Sequence, residues 1–492
     1  MQDQQAPMRA AIDIGSNTIH IVVARCKSGD LDIVEDEVEL VRIGESVNAN
    51  GEISPEKRDA AIATLRQYRE LAQRHGAEQV LVVATEAIRE ASNSAEFLED
   101  VQRETGLQVQ VISGDVEATL TFYGATYEER KRPGAPAQLS VMDLGGGSTE
   151  LVMAQNMHIS WRTSIPIGSG WLHDRYLSSN PPPPDDLATA QTFLRTYLQG
   201  MRIKQHPASL IVTGGSANSL LLLAQQAFRL DESAKRLTYD DLVHCEGLLS
   251  ALAAEEISQR YQQPLGRARI LPAGALIIRE VMSRLNLREI TVSPHGIREG
   301  VLLAYERYGE DWLERVNQEA SASNQATGST LKSAAVQNDA RDETFAQSGR
   351  RMLAERVEKL LDWRDDVLKH EDIEAVHKMR VATRRLRATL DAFESCCQPQ
   401  KFKKIYRQVK DMADILGTAR DTDVMLQGLH EKNEQVAVEE QAGVQWLIDR
   451  LDIYRQQKQQ ELEDFFAALD EDALKQQVES CIPKGALRNG QS

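Results

Sequence analysis

Two short segments hold the residues best suited to gripping an anion and a cation together. Ile12-Asp13-Ile14-Gly15-Ser16-Asn17-Thr18 and Met142-Asp143-Leu144-Gly145-Gly146-Gly147-Ser148-Thr149 lie about 130 residues apart and share one plan. In each, an apolar strand ends in Asp, a turn of small residues follows, and a second apolar strand begins (HIVVAR; ELVMA). The strand delivers a carboxylate to its end, which suits a hard divalent cation, while the small residues let backbone N–H groups approach a phosphate closely. A third turn, Thr213-Gly214-Gly215-Ser216, joins the apolar run LIV to a helical pattern. One such turn alone is most often a plain hairpin; two Asp-bearing copies and a third turn favour phosphate binding. The G-x-x-x-x-G-K-[ST] loop is absent, and a strand-like run follows Gly145-Gly146-Gly147 where a dinucleotide loop would open a helix.

The elements that must position these turns are legible as apolar runs. Up to about Tyr308, AAIDIG, HIVVARC, QVLVVAT, VQVISG, LSVMDLGG, TELVMA and LIVTGG alternate with amphipathic stretches, the pattern of α/β layers, and the internal echo implies two similar lobes. Pro181–Pro184 reads as a loop, because proline lacks a backbone donor. Ser321–Gln347 has few large apolar residues and reads as a flexible linker; beyond it strand signals vanish and amphipathic helices rich in Leu, Arg, Glu and Gln predict a bundle. The expected division is lobe I over 8–130, lobe II over 131–310, a linker over 311–343 and a helical module over 344–488.

Composition sets outer bounds. The 492 residues suit two to four domains, and 41% hydrophobic with 27% charged residues excludes wholesale disorder. A net charge of −17 disfavours general binding to nucleic acid or to an anionic membrane. The first residues show no basic stretch followed by an apolar one, and no uncharged apolar run approaches ~18 residues, so a soluble, cytoplasmic protein is expected. Five cysteines form no C-x-x-C; reduced thiols are expected, with neither zinc nor redox chemistry signalled.

From Met8 to Tyr308 the chain resembles the exopolyphosphatase / guanosine pentaphosphate phosphohydrolase family of the actin-like, sugar-kinase and Hsp70 ATPase superfamily. The resemblance rests on Asp13–Thr18, Ala84-Thr85-Glu86-Ala87-Ile88-Arg89, Ile112-Ser113-Gly114-Asp115-Val116-Glu117-Ala118, Asp143–Glu150 and Gly296-Ile297-Arg298-Glu299-Gly300. It implies two lobes with duplicated ribonuclease-H-like cores, an active site between them, and Glu117 as the base that orients or deprotonates water. Ser113-Gly114-Asp115 follows an apolar strand, so Glu117 falls in a first helical turn; a solvated acid at a helix start is the plainer alternative. Asp13, Asp143 and Glu150 are candidates for a Mg²⁺ shell, or else cap adjacent turns. Arg89 would clamp a phosphate, or else make a surface ion pair. Ser16, Asn17, Gly145, Gly146, Gly147, Ser148 and Thr149 would hold the terminal phosphate, and Gly214, Gly215 and Ser216 would line the cleft. Val116, Thr119, Glu86 and His295 depart from the family pattern, which puts chain-length preference and turnover in question.

The helical module concentrates positive charge. At 100° per residue, His377, Arg380, Arg384 and Arg387 share one arc, opposite Met379, Ala382, Leu386, Leu390 and Phe393. Lys403, Arg407 and Lys410 oppose Phe402, Ile405, Val409, Met412 and Leu416 in the next helix. Between His377 and Lys410 there are ten Lys and Arg against two Asp and Glu. A solvated bundle face is one reading; a groove for a linear polyanion is the other. Tyr406 alone is flanked by basic residues, which disfavours single-stranded nucleic acid with its need for stacking platforms. His377–Arg387, followed by Leu416–Asp423, resembles the conserved histidine α-helical (CHAD) domain, a module associated with polyphosphate binding. Only one of its two usual helical halves is evident; a natural half-domain, a half completed by a second copy in a homodimer, and a truncated chain are the alternatives, and the apolar surface a half-bundle would expose makes self-association a hypothesis. The combined expectation is a Mg²⁺-dependent exopolyphosphatase acting on inorganic polyphosphate; a guanosine pentaphosphate phosphatase and a non-catalytic polyphosphate sensor are the alternatives.

Overall fold

Strands β1 (Met8–Ile14) and β2 (Thr18–Lys27) are largely buried, as their near-continuous apolar runs require of central strands. The computed structural model describes residues 6–27, 29–131, 138–201, 203, 207–231, 233–327, 345–369, 373–433 and 438–483. The chain divides into two compact units, the first made of residues 1–198 and 203–331 and the second of 199–202 and 332–492.

The first unit contains two sheets built alike. In one, β3 (Asp30–Leu40), β2, β1, β4 (Gln79–Ala84) and β5 (Val109–Val111) lie in that order. In the other the order is β10 (Arg236–Thr238), β11 (Glu289–Val292), β9 (Leu210–Thr213), β6 (Gln138–Leu144), β7 (Thr149–Gln155) and β8 (His158–Ile165). Each begins as a three-stranded antiparallel meander, β1-β2-β3 or β6-β7-β8, and adds parallel strands beside its first strand. The inferred duplication is therefore present at the level of topology. Asp13, Thr85, Asp143 and Thr213 all fall at carboxyl ends of parallel strands, where open α/β sheets bind ligands. The acidic edge strand β3 (DLDIVEDEVEL) discourages pairing with another chain.

Between the sheets runs helix Gly114–Ala125, buried at every residue from Val116 to Ala125. A helix buried on all sides is a core helix, its few polar groups Glu117, Thr119 and Thr121 included. Its Val116, Leu120 and Phe122 join one cluster with Ala11 and Val22 of the first sheet and Val141 and Val152 of the second. Helix Ile297–Tyr308 packs against it through two glycines: a Cβ on Gly124 would lie 1.8 Å from the Gly296 carbonyl oxygen, and one on Gly300 would lie 1.8 Å from that of Leu120.

Two expectations change. Residues 312–327, assigned to the linker, form helix Trp312–Thr327, and Trp312, Val316 and Ala320 bury one face in the same core cluster. The i, i+4, i+8 spacing was present in the sequence, but Ala, Ser, Asn and Gln on the other faces masked it. The rest of the expected linker, 328–343, lies outside the described residues. Of the four prolines, Pro184 opens helix Pro184–Gly200, a first-turn position where a missing N–H is harmless.

The second unit is helical throughout its described residues: Phe345–Leu361, Arg364–Lys369, Ile373–Ala392, Pro399–Asn433, Val438–Ala468 and Glu471–Cys481. Met379, Leu386, Leu390, Phe393, Ile405, Val409, Met412 and Leu416 are buried. Ala382 and Phe402, expected in the apolar faces, are only half-buried, and Phe402 stacks on Tyr406.

Gly300→Ala should destabilise the full chain by about 1–3 kcal/mol, because the methyl meets backbone that cannot rotate away. Gly247→Ala, in helix Tyr239–Ala251 with open space around it, should be neutral or stabilising by up to about 1 kcal/mol. Urea unfolding followed by tryptophan fluorescence compares the two; equal midpoints would remove the close-packing argument.

Candidate active site

The two Asp-bearing turns close in the same way. Gly15 N–H donates to the Thr18 carbonyl and Gly145 N–H to the Ser148 carbonyl, each at 3.0 Å. They face one cleft of about 830 Å³, lined by Asp13, Ser16, Asn17, Glu117, Asp143, Gly145, Gly146, Gly147 and Ser148, with Gly214 and Gly215 also present. The turns touch: a Cβ on Gly146 would lie 2.5 Å from the Asn17 amide, and one on Gly147 would lie 1.7 Å from Glu86 Oε2. That Glu86 carboxylate accepts the Ser16 hydroxyl at 3.0 Å, so this departure from the family pattern props the first turn from beneath the second.

Three carboxyl groups, Asp13, Glu117 and Asp143, line this space and a fourth, Glu150, stands behind them. Asp13 is pushed up to about 7, chiefly by burial, then by Asp143, and its Oδ1 is buried without a hydrogen-bond partner. Asp143 is raised by burial, although Thr121 donates to its Oδ2 at 3.0 Å. Glu117 is raised well above the carboxylate range by burial and then by Glu150, Asp13 and Asp143. Its Oε2 is buried with no hydrogen-bond partner; the Arg89 guanidinium stands 3.7 Å away, close enough to attract but not to hydrogen-bond. Glu150, paired across the ladder with Asp143, is raised by burial and by that neighbour, and it accepts the Ser164 hydroxyl at 2.6 Å.

Other expected residues stand outside the lining. Arg89 donates to the Ile112 carbonyl at 2.7 Å and is ranged beside Glu117. Glu150 is buried behind Asp143 and Ser148. Thr149 is turned away, its hydroxyl donating to the Ile167 carbonyl at 2.6 Å, because alternation along β7 directs it to the face opposite Glu150. Ser216 is fully buried under Gly274. Val116 belongs to the core, and Thr119 donates to the Asp115 carbonyl at 2.8 Å, so neither departure faces the cleft. His295 stands near Glu128 and Glu299 and edge-on to Tyr127.

Sequence reasoning missed several lining residues, among them His20, Asn218, Arg267 and Arg298. Arg298 pairs with Asp36 and lies 3.7 Å from Glu299, and its charge opposes the upward shift of Asp13. It lay inside a quoted motif, so a signal existed. Arg267, pulled down to about 10 by burial, comes from the first turn of helix Leu265–Leu285 and abuts Gly215; nothing local marks it. Burial, with Arg298 and Arg267 nearby, holds His20 well below its usual range.

The donor set fits a divalent cation. Asp13 and Asp143 supply hard oxygens, one of them unpartnered, in a site whose mutual repulsion a cation would relieve. Among the described residues no group of three or more His, Cys, Asp or Glu is arranged to hold a metal alone. A cation here would therefore draw on phosphate and water oxygens as well, as Mg²⁺ commonly does.

In the second unit, His377, Arg380, Lys403 and Arg407 are exposed and Arg384, Arg387 and Lys410 half-buried. Arg387 donates to the Tyr406 hydroxyl at 3.2 Å and stacks over its ring, joining the basic faces of the two helices. Lys378 lies over Trp363. No helix among the described residues is long and apolar enough to cross a membrane.

Comparison with known proteins agrees with this arrangement. Residues 22–308 match the model of the Ppx/GppA phosphatase family and residues 351–491 that of the CHAD domain. Exopolyphosphatase 2 of Mycobacterium tuberculosis is 33% identical over 316 residues, spanning 60% of this chain and 97% of that protein. Exopolyphosphatase 1 of Mycobacterium leprae is 27% identical over 299 residues, 59% and 87% of the two chains. The Aquifex aeolicus PPX-GPPA enzyme superposes with a TM-score of 0.52 at 30% identity, covering 61% of this chain and 99% of its own. An exopolyphosphatase from Cytophaga hutchinsonii gives 0.55 at 25% identity, covering 61% and 98%. The two-lobed first unit has the actin-like ATPase type of fold, and the chain belongs to the Ppx/GppA phosphatase family, with a CHAD domain after its phosphatase region.

Proposed function

We propose that the first unit is an exopolyphosphatase that releases orthophosphate from the end of inorganic polyphosphate by attack of water, and that the second unit binds the same polymer. The Glu117 carboxyl group carries this reading. It is buried at the cleft, its Oε2 lacks a hydrogen-bond donor, and burial with Glu150, Asp13 and Asp143 raises its proton affinity. A carboxylate with a raised pKa is the better general base, since it accepts the proton from water more readily near neutral pH. Arg89, anchored on the Ile112 carbonyl, limits that rise by its charge.

The glycine turns would seat the terminal phosphate on their backbone amides, assisted by the Ser148 hydroxyl and Asn17, while Arg298 and Arg267 supply positive charge along the lining. Mg²⁺ held by Asp13 and Asp143 would neutralise charge on the reacting phosphate. Glu150 acts on Glu117 by its charge rather than from the lining. Phosphoryl transfer asks mainly for positioning and charge stabilisation, so no covalent nucleophile is needed. The names of the mycobacterial relatives support the polymer as substrate. Guanosine pentaphosphate also ends in a phosphoanhydride and is the competing substrate; rates measured with both in one assay separate them. The non-catalytic sensor loses its motive, because Val116 and Thr119 point away from the cleft.

We also infer that the second unit pairs with a second copy of the chain. Trp446, Leu447, Ile453 and Tyr454 are exposed on helix Val438–Ala468, with Trp446 at 63%. Trp446 and Tyr454, like Leu447 and Ile453, are equidistant in sequence from Arg450, so an antiparallel copy would set each against its mate, as a two-fold interface requires.

Three measurements test these readings. Glu117→Gln should lower kcat on long-chain polyphosphate about 10²- to 10⁴-fold with little rise in KM. In the unsubstituted enzyme kcat should climb with pH through a value above the ordinary carboxylate range, because Glu117 works ionised and its pKa is raised; unchanged turnover in the variant would remove Glu117 from the chemistry. In a Glu117→Gln background, Lys403→Ala with Arg407→Ala should weaken polymer binding and reduce its salt dependence by about 0.7 log unit per log unit of salt for each cation lost. Equal binding would assign the basic faces to solvation. Sedimentation should find a dimer that Trp446→Glu dissociates; a monomer at micromolar concentration would exclude the pairing.

A further inference from the structure

Three of the five cysteines meet at one end of the helical unit. Cys396 and Cys397 lie in the short connection between helices Ile373–Ala392 and Pro399–Asn433, and Cys481 ends helix Glu471–Cys481. The chains are tied there by backbone: Gln398 N–H donates to the Cys481 carbonyl at 2.9 Å, and the Lys401 ammonium donates to the Ser480 carbonyl at 3.2 Å. Cys397 and Cys481 are buried neighbours, whereas Cys396 is half-buried beside Ser395. Phe393 and Ile482 close over the junction, both meeting Gly349.

We propose that Cys397 and Cys481 are a redox modification site, forming a reversible disulfide that fastens the last helix of the bundle to the connection between the two basic helices. The Gln398 N–H bond to the Cys481 carbonyl ties the two backbones together directly beside the pair, which brings the cysteines within reach of the short separation a disulfide spans. The pair is chemically polarised: the neighbouring Cys397 and the Lys401 charge hold the Cys481 thiol below its usual range, while Cys397 is held above it. The Lys401 ammonium, which bonds the adjacent Ser480 carbonyl, favours the anion on Cys481 and makes it the thiolate that reacts first. Its sulfur attacks one oxygen of a peroxide, the O–O bond breaks, and the other oxygen leaves with a proton as water, giving a sulfenic acid. The Cys397 sulfur then attacks that sulfur, the S–O bond breaks, and a second water departs. The two thiols lose two electrons together and the peroxide gains them; a small-molecule thiol reverses the bond.

Cys26 and Cys245 serve as internal controls. Both are buried in the first unit with thiols raised by burial, Cys245 to about 12, and neither has a second cysteine beside it. Oxidation should therefore select one pair among the five.

The test treats the native full chain with hydrogen peroxide, blocks remaining thiols after denaturation, and maps unreduced peptides by mass spectrometry. The expected product joins the Cys397 and Cys481 peptides, two hydrogens lighter than their sum, is abolished by dithiothreitol, and leaves Cys26 and Cys245 alkylated. Hydrogen exchange across Glu471–Cys481 should slow on oxidation. Cys396→Ser should retain the bond, and Cys397→Ser should instead trap Cys481 as a dimedone-reactive sulfenic acid. Linkage of Cys481 to Cys396, over-oxidation of Cys481 without linkage in the unsubstituted chain, or five thiols that all remain alkylatable would each overturn the proposal. Unchanged exchange in the linked protein would overturn the fastening.

Discussion

Mutual repulsion among buried carboxyl groups is the constraint around which the first unit is arranged. Asp13, Asp143, Glu117 and Glu150 influence one another's protonation, and each is pushed upward by burial before any neighbour is counted. Such groups make the folded protein less stable as pH rises from the ordinary carboxylate range toward their raised values, because the native state then holds protons that the unfolded chain has released. Arg298 and Arg89 offset part of this, and a cation and a phosphate would alter the balance further. A surface optimised only for stability would not gather these groups; their burial is sensible if a ligand completes the site.

Holding four carboxyl groups together requires a rigid frame, and the frame is set by backbone contact. Helix Gly114–Ala125 carries Glu117 on its first turn and the Thr121 hydroxyl, which binds Asp143, one turn later. It is clamped from behind by Ile297–Tyr308, which approaches closely because Gly124 and Gly300 have no side chains. The same closing helix contributes Arg298 to the cleft. One glycine-to-glycine packing therefore positions both a carboxylate and a balancing cation. Gly146 and Gly147 play the corresponding role in front, where the two turns approach too closely for any Cβ.

The helical unit applies the opposite electrostatic logic. A chain of net charge −17 concentrates cations on the exposed faces of two adjacent helices, and Arg387 over Tyr406 joins them. Acidic groups are buried where reaction chemistry is proposed, and basic groups are spread where an extended polyanion would be held. If the helical unit holds the polymer as proposed, tethering it to the phosphatase region would raise the local concentration of chain ends without any new contact at the cleft.

Periodicity and spacing alone determined the α/β first part, its internal duplication, the helical second part, and the turns bearing Asp13 and Asp143, since these depend on interactions between residues close in sequence. Family resemblance singled out Glu117 and Arg89, which spacing could not distinguish from solvated charges. Tertiary structure decided the rest. It buried Trp312, Val316 and Ala320 against the core on a face hidden by small polar residues, turned Thr149 from the cleft and set Glu150 behind it. It also brought Arg267 and His20 into the lining from places with no local mark, and put Cys397 against Cys481 across more than eighty residues. Local sequence encodes which face of an element is apolar, but which distant groups share a low-dielectric space follows only from how those faces pack.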